Sequence, residues 1–103
     1  MDKYSILIPV HNELNSINIL LDSLVPFSTN GHEIIIIDDG STDGSNQLLQ
    51  KSSIIKLITI DRNQGKGHAL KEGLRTAVNN RIIVYDGDLE LNPSDITNLM
   101  ILE

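Results

Sequence analysis

The chain has 103 residues, 40% apolar and 3% aromatic, with a formal net charge of −6. That length supports one small domain with a core of Ile, Leu and Val, and the apolar share is too high for a disordered chain. The acidic balance argues against a nucleic-acid surface, which needs clustered Lys and Arg, and the lack of cysteine excludes disulfides, thiolate zinc sites and a cysteine nucleophile.

Read in order, Ser5–Val10 is a short apolar run ending at a turn. Ile17, Leu20, Leu21 and Leu24 recur at helical spacing, with Asn15 or Ser16 as the start. Ile34–Ile37 is a four-isoleucine run, the pattern of a strand covered on both faces. A turn-forming stretch, 38–44, precedes a short helix through Leu48 and Leu49. Ile54–Ile60 is the third predicted strand. After the polar loop Asp61–Gly67, His68–Val78 reads as a helix with Leu70, Leu74 and Val78 on one face. Arg81–Tyr85 is the fourth strand, and Asn92-Pro93 opens a last helix through Ile96, Leu99 and Met100, in or just after which the chain stops. Four alternating strand–helix units predict an α/β fold, a parallel sheet with helices on both faces. No membrane-length apolar run and no signal-peptide pattern is visible, so a cytoplasmic location is expected.

In an open parallel sheet, ligands bind beyond the carboxyl ends of the strands. The four polar stretches fall there: Pro9–Glu13, Asp38–Asp43, Asp61–Gly67 and Asp86–Glu90. Glu13, Asp38, Asp39, Asp86 and Asp88 thus gather on one edge, and a divalent cation is the simplest way to offset their repulsion. In Asp86-Gly87-Asp88 two carboxylates two apart on extended chain project to one side, a hard-oxygen site for Mg²⁺ or Mn²⁺. Gly87 lets a diphosphate approach closely. The bland counterpart is a solvated acidic turn.

Asp38 and Asp39 can accept an imide or amide N–H from a nucleobase, or merely cap the next turn; Ser41 and Asp43 read as caps. Gly65-Lys66-Gly67 permits close backbone approach and can bring Lys66 to a phosphate, but it is neither a Walker A loop nor a full dinucleotide fingerprint. A flexible solvated loop fits it equally well. His11 lies at a strand end where it can flank a base, and His32 reads as surface. The histidines show no paired metal-ligand spacing.

These pieces in this order resemble the N-terminal half of family 2 glycosyltransferases of GT-A fold. Pro9-Val10-His11-Asn12-Glu13, Asp38–Gly44, Asn63-Gln64-Gly65-Lys66-Gly67 and Asp86-Gly87-Asp88-Leu89 match four motifs of that family in register. The resemblance implies a Rossmann-like three-layer sandwich, here truncated, that binds a UDP- or GDP-linked sugar. Mn²⁺ or Mg²⁺ would bridge Asp86, Asp88 and the two phosphates, with Asp88 the principal ligand. Pro9, His11, Glu13, Asp38 and Asp39 would border the nucleoside, Asp39 being the base contact, with Lys66 and Gly87 near the nucleotide. The flavour of the third and fourth motifs is similar to the branch acting on polyprenyl phosphates. Residues 1–103 then form the donor-binding part of a larger, inverting enzyme whose catalytic base lies elsewhere, so sugar transfer by this piece alone is not expected. Two other readings stand beside it: a dinucleotide-dependent oxidoreductase using the Gly65 loop, and a non-catalytic nucleotide- or protein-binding module.

Overall fold

The computed structural model describes residues 3–85 and the backbone of residues 101–102. Strands β1 (Tyr4–Val10), β2 (Glu33–Asp39), β3 (Lys56–Ile60) and β4 (Arg81–Val84) are parallel. They alternate with helices α1 (Leu14–Thr29), α2 (Ser45–Gln50) and α3 (Lys66–Thr76). The sheet order is β3-β2-β1-β4-β5, and β5 (Ile101–Leu102) runs antiparallel to β4. This fifth strand was not among the predicted elements, because a short apolar run cannot be told from a helical segment by periodicity alone. The predicted helix through Ile96, Leu99 and Met100 lies outside the described residues.

The strands are apolar without alternation because both faces of the sheet are covered. On β1 and β2, Ile6, Ile8, Val10, Ile34 and Ile36 pack with Ile17, Leu20 and Leu24 of α1 and Leu49 of α2. Their neighbours Leu7, Ile35 and Ile37 point the other way and pack under Ala69 of α3. The residues in register across β1 and β2, Leu7 with Ile35 and Ile8 with Ile36, therefore serve opposite layers.

Two expectations about faces and ends are revised. The buried stripe of α3 is Ala69 and Gly73, whereas Leu74 is 46% exposed and Val78 71% exposed. The reason is close approach: a Cβ on Gly73 would sit 2.9 Å from Leu7 Cδ2 and 3.0 Å from Ile37 Cδ1. Small residues let α3 lie close on the strands; Leu70 still packs partly buried against the same cluster, whereas Leu74 and Val78, the latter beyond the end of the helix, are exposed. β3 starts at Lys56, and Ile54 and Ile55 instead pack against the cluster formed by α1 and α2.

α1 ends in a two-bond C-terminal turn. Gly31, at φ +87°, donates its N–H to Ser28 O at 2.9 Å, and His32 N–H reaches Phe27 O at 3.1 Å. His32 is only half exposed, a correction to its surface reading. Its ring lies 5.2 Å from that of Tyr4 and 6.5 Å from that of Phe27, and its Nδ1 accepts the Tyr4 N–H at 3.1 Å.

At the same amino-terminal edge of the sheet, Glu33 ties four segments together. It pairs with Lys56 and accepts the Ser5 hydroxyl at 2.6 Å and the Val78 N–H at 2.9 Å. Burial pushes the Glu33 carboxyl up, but the bonds from Lys56, Ser5 and Val78 outweigh it and hold the carboxyl below its ordinary value. Burial, then Lys3, holds His32 below its ordinary value.

Both shifts have one sign of consequence. In each case the unfolded chain binds the proton more readily, so stability rises with pH. We expect the thermal midpoint to fall first as pH drops below the ordinary histidine value of 6.5. A second fall is expected as pH passes 4.5 and below. Glu33→Gln should flatten the lower arm and leave the upper one, measured by circular dichroism melts across that range.

Candidate functional site at the carboxyl edge of the sheet

The chain steps from β1 to β2 to β3 in one direction and then returns to place β4 on the far side of β1. In a doubly wound sheet the crevice for a ligand lies outside the strand ends at such a reversal, here beyond β1 and β4. β4 hands over to this rim through Tyr85, which is fully buried and donates its N–H to Leu7 O at 3.0 Å. Asp86, Gly87 and Asp88 follow Tyr85 directly in the sequence and lie outside the described residues.

Asp38 and Asp39 end β2 with 1% and 4% exposure. Successive side chains on a strand point to opposite faces, so each serves a different helix layer. Asp38 turns towards α2. Its Oδ1 accepts Ser41 N–H at 3.0 Å and its Oδ2 accepts Asn46 Nδ2 at 2.8 Å. Asp39 turns towards the entry of α3, where Oδ1 accepts Gln64 N–H at 2.9 Å and Oδ2 accepts Gly65 N–H at 2.8 Å. The expected repulsion between these two acids, which pointed to a cation, is thus offset from within the chain.

Gly40 makes the approach of the third loop possible. Its φ is +72°, and a Cβ there would collide with Asn63 N and lie 2.7 Å from Arg62 C. The loop after β3 therefore rests on the backbone of the loop after β2. Gly65, at φ +94°, turns the chain into α3, so that Lys66 is the exposed first residue of the helix.

The first and second loops are joined by reciprocal bonds. Asn12 N–H donates to Ser41 Oγ at 2.8 Å, Thr42 N–H donates to Asn12 Oδ1 at 2.8 Å, and Glu13 N–H donates to Ser45 Oγ at 3.1 Å. Asp43 takes Ser45 N–H at 3.0 Å through Oδ1 and Leu14 N–H at 3.1 Å through Oδ2. One carboxylate therefore caps α2 locally and α1 from another loop. The Ser45 hydroxyl first, opposed by burial and helped by the N–H groups of Ser45 and Leu14, holds Asp43 below its ordinary value. The predicted start of α1 at Asn15 or Ser16 moves to Leu14 because its cap comes from a residue 29 positions away.

Pro9 is buried at the end of β1, in register with Ile37. Half-buried His11 follows, with Nδ1 2.7 Å from Asp39 O and Nε2 3.3 Å from Asn12 Nδ2. A carbonyl only accepts and an amide nitrogen only donates, so the proton sits on Nδ1 and the lone pair on Nε2. The structure thus brings Pro9, His11, Glu13, Asp38 and Asp39 to one rim, with Lys66 at the start of α3 beside it. Asn46 and Ser45 had no role in the sequence reading, Asn12 entered it only as part of the first motif, and the capping expected of Asp43 is found at both α2 and α1.

Among the described residues no group of three His, Asp or Glu side chains is placed to hold a metal ion. The carboxylates of Asp38, Asp39 and Asp43 are each engaged by N–H donors. No described helix is long and apolar enough to cross a membrane.

Fold and rim together define a doubly wound α/β domain that presents its site at the strand ends around a central β1. The chain belongs to glycosyl transferase family 2, whose sequence profile it matches over residues 5–100. It is 37% identical, over 95% of its length, to the undecaprenyl-phosphate 4-deoxy-4-formamido-L-arabinose transferase of Yersinia pestis. It spans about a third of the length of such curated relatives, 32% of that one. Among solved structures it superposes on S. aureus TarS with a TM-score of 0.77 at 26% identity, covering 93% of this chain and 30% of that one. A TarS structure in complex with UDP gives 0.75 at 28%, with 84% and 27% covered. A Pyrobaculum calidifontis mannosyltransferase in complex with GDP-Man and Mn²⁺ shares the fold, with a TM-score of 0.75 at 24% identity and 84% and 27% covered.

Proposed function

We propose that this chain is the donor-binding part of a metal-dependent, inverting glycosyltransferase that takes sugar from a UDP- or GDP-linked donor. The observation that carries the reading is the rim itself. Three loops are locked into one surface beside the reversal of strand order, and Asp86-Gly87-Asp88 follows the buried Tyr85 directly in the sequence.

Each residue has a distinct task in this scheme. Pro9, His11 and Glu13 border the nucleoside on the β1 side. The buried Asp39 borders it on the β2 side, where each of its oxygens keeps a lone pair beyond the backbone N–H it accepts. Asp38 serves the same wall indirectly, by fixing the turn through Ser41 and Asn46. Lys66, exposed at the start of α3, places a cation near the nucleotide. Gly87 leaves room for the diphosphate, and Asp86 and Asp88 hold Mn²⁺ or Mg²⁺. When bound, that ion supplies Lewis-acid neutralisation of charge on the departing nucleoside diphosphate.

The name of the Yersinia pestis relative includes undecaprenyl phosphate, and a polyprenyl phosphate at the inner face of the membrane is accordingly the acceptor we assign to the complete protein. The competing oxidoreductase reading is disfavoured by the Gly65 loop. Its two amides at 64 and 65 are spent on Asp39 instead of facing outward as a phosphate cradle. The test is a set of amide-shift titrations with UDP, GDP and NAD, each with and without Mg²⁺. UDP or GDP should perturb residues 9–13, 38–41 and 64–67 in a metal-dependent way; metal-independent perturbation by NAD alone would overturn the proposal.

A further inference from the structure

We infer that Asn12 is a positioning residue of this rim, which joins the first and second loops and fixes the orientation of His11. The inference rests on the donor-site reading and names a residue that reading leaves without a role. The backbone gives the first clue. Asn12 is the non-glycine residue with positive φ among the described residues, at +52°. A left-handed conformation disfavours most side chains by roughly 1 kcal/mol, and asparagine tolerates it better than most.

That conformation lets one short side chain and its own amide reach three partners on two sides. The Asn12 N–H goes to Ser41 Oγ, Oδ1 receives the Thr42 N–H, and Nδ2 points to His11 Nε2. The orientation of the carboxamide is set by Thr42, whose N–H can only donate, so the nitrogen must face the imidazole. His11 is thereby held from both ends, by Asp39 O on Nδ1 and by Asn12 on Nε2. Its ring is thus fixed in plane at the edge that the donor-site reading assigns to the nucleoside. Freed from Asn12, the ring would retain its Asp39 bond and lose the second point that fixes its rotation.

The choice of residue is informative. Glycine adopts the backbone angle and supplies neither side-chain bond. Aspartate accepts from Thr42 and cannot donate to Nε2. Asparagine supplies the whole set. Asn12→Gly and Asn12→Asp therefore remove the contacts in steps while each remains compatible with the left-handed backbone, so both variants are expected to fold.

The experiment reads two signals in the unliganded protein and then titrates UDP with Mn²⁺. In the parent, ring ¹⁵N spectra should show His11 protonated on Nδ1 with a hydrogen-bonded Nε2. In Asn12→Gly the Nε2 resonance should move towards a free lone pair and the Thr42 amide should shift upfield. In Asn12→Asp only the imidazole signal should change. Loss of one or both neutral bonds should weaken UDP binding by about three- to tenfold, with the glycine variant the weaker binder. Imidazole and Thr42 signals in Asn12→Gly identical to the parent's would overturn the inference, as would parent-like UDP affinity in a variant whose signals had moved. Failure of the parent to bind either UDP or GDP with those signals intact would instead sink the donor-site reading.

Discussion

Gly40→Ala should lower stability by about 3 kcal/mol, a drop in Tm of roughly 15 °C for a domain of this size. Two effects add. The residue sits at φ +72°, where a Cβ costs about 1 kcal/mol, and that Cβ would collide with Asn63 N and lie 2.7 Å from Arg62 C, far inside contact distance. The obstacle is backbone, so no side chain can rotate away, and the loop after β3 must lift off the loop after β2. Gly65→Ala is the matched control. Its φ is +94° with nothing within 4 Å of the added carbon, so it should show the conformational cost alone, about 1 kcal/mol. Paired thermal melts measure both; equal losses in the two variants would mean that the loops do not rest on each other as described.

Asp39→Ala should have the larger effect on the rim and a comparable one on the fold. Its carboxylate is 4% exposed and receives two backbone amides at 2.9 and 2.8 Å. Hydrogen bonds to a charged acceptor are worth about 1.5–3 kcal/mol each, and water reaching the exposed loop recovers part of that. We expect a net loss of about 2–3 kcal/mol. Amide exchange should accelerate selectively at Gln64 and Gly65, with the α1 and α2 core protected as before. Asp39→Asn should be nearly as damaging, because a carboxamide keeps one acceptor oxygen and turns its NH₂ towards a backbone donor. Unchanged exchange at Gln64 and Gly65 would show that the carboxylate does not hold this loop.

Much of this architecture was legible because β-branched runs and polar stretches alternate cleanly. Four β-branched isoleucines between turn residues fit a strand buried on both sides, and Ile34–Ile37 is one. The strand-end acids were also legible as a rim, because parallel topology sends every such stretch to the same edge. What escaped was long-range. The cap of α1 comes from Asp43, and the bonds that consume Asp39 come from residues 64 and 65, contacts that no local pattern encodes. The buried face of α3 escaped for a related reason. Leu70, Leu74 and Val78 look like a buried stripe by size, whereas Gly73 buries its side because only a hydrogen fits against Leu7 and Ile37. His32 reads as surface because the Tyr4 and Phe27 rings that cover it are distant in sequence or behind a helix turn.

The largest revision is electrostatic. Acids gathered at one edge suggested a cation on grounds of repulsion, and two of them, Asp38 and Asp39, prove to be satisfied by the chain's own N–H groups. The metal site we propose therefore rests on the sequence spacing of Asp86 and Asp88 and on the phosphates of the proposed donor.

Calorimetric titration of UDP and of GDP in the presence of Mn²⁺, on the parent and on a D86N/D88N double variant, puts that claim to the most direct test. The account predicts that one of the two nucleotides binds the parent with a metal-dependent affinity that the double variant loses by at least about tenfold, with the melting curve unchanged. Equal affinity in parent and variant, with or without the ion, would contradict it.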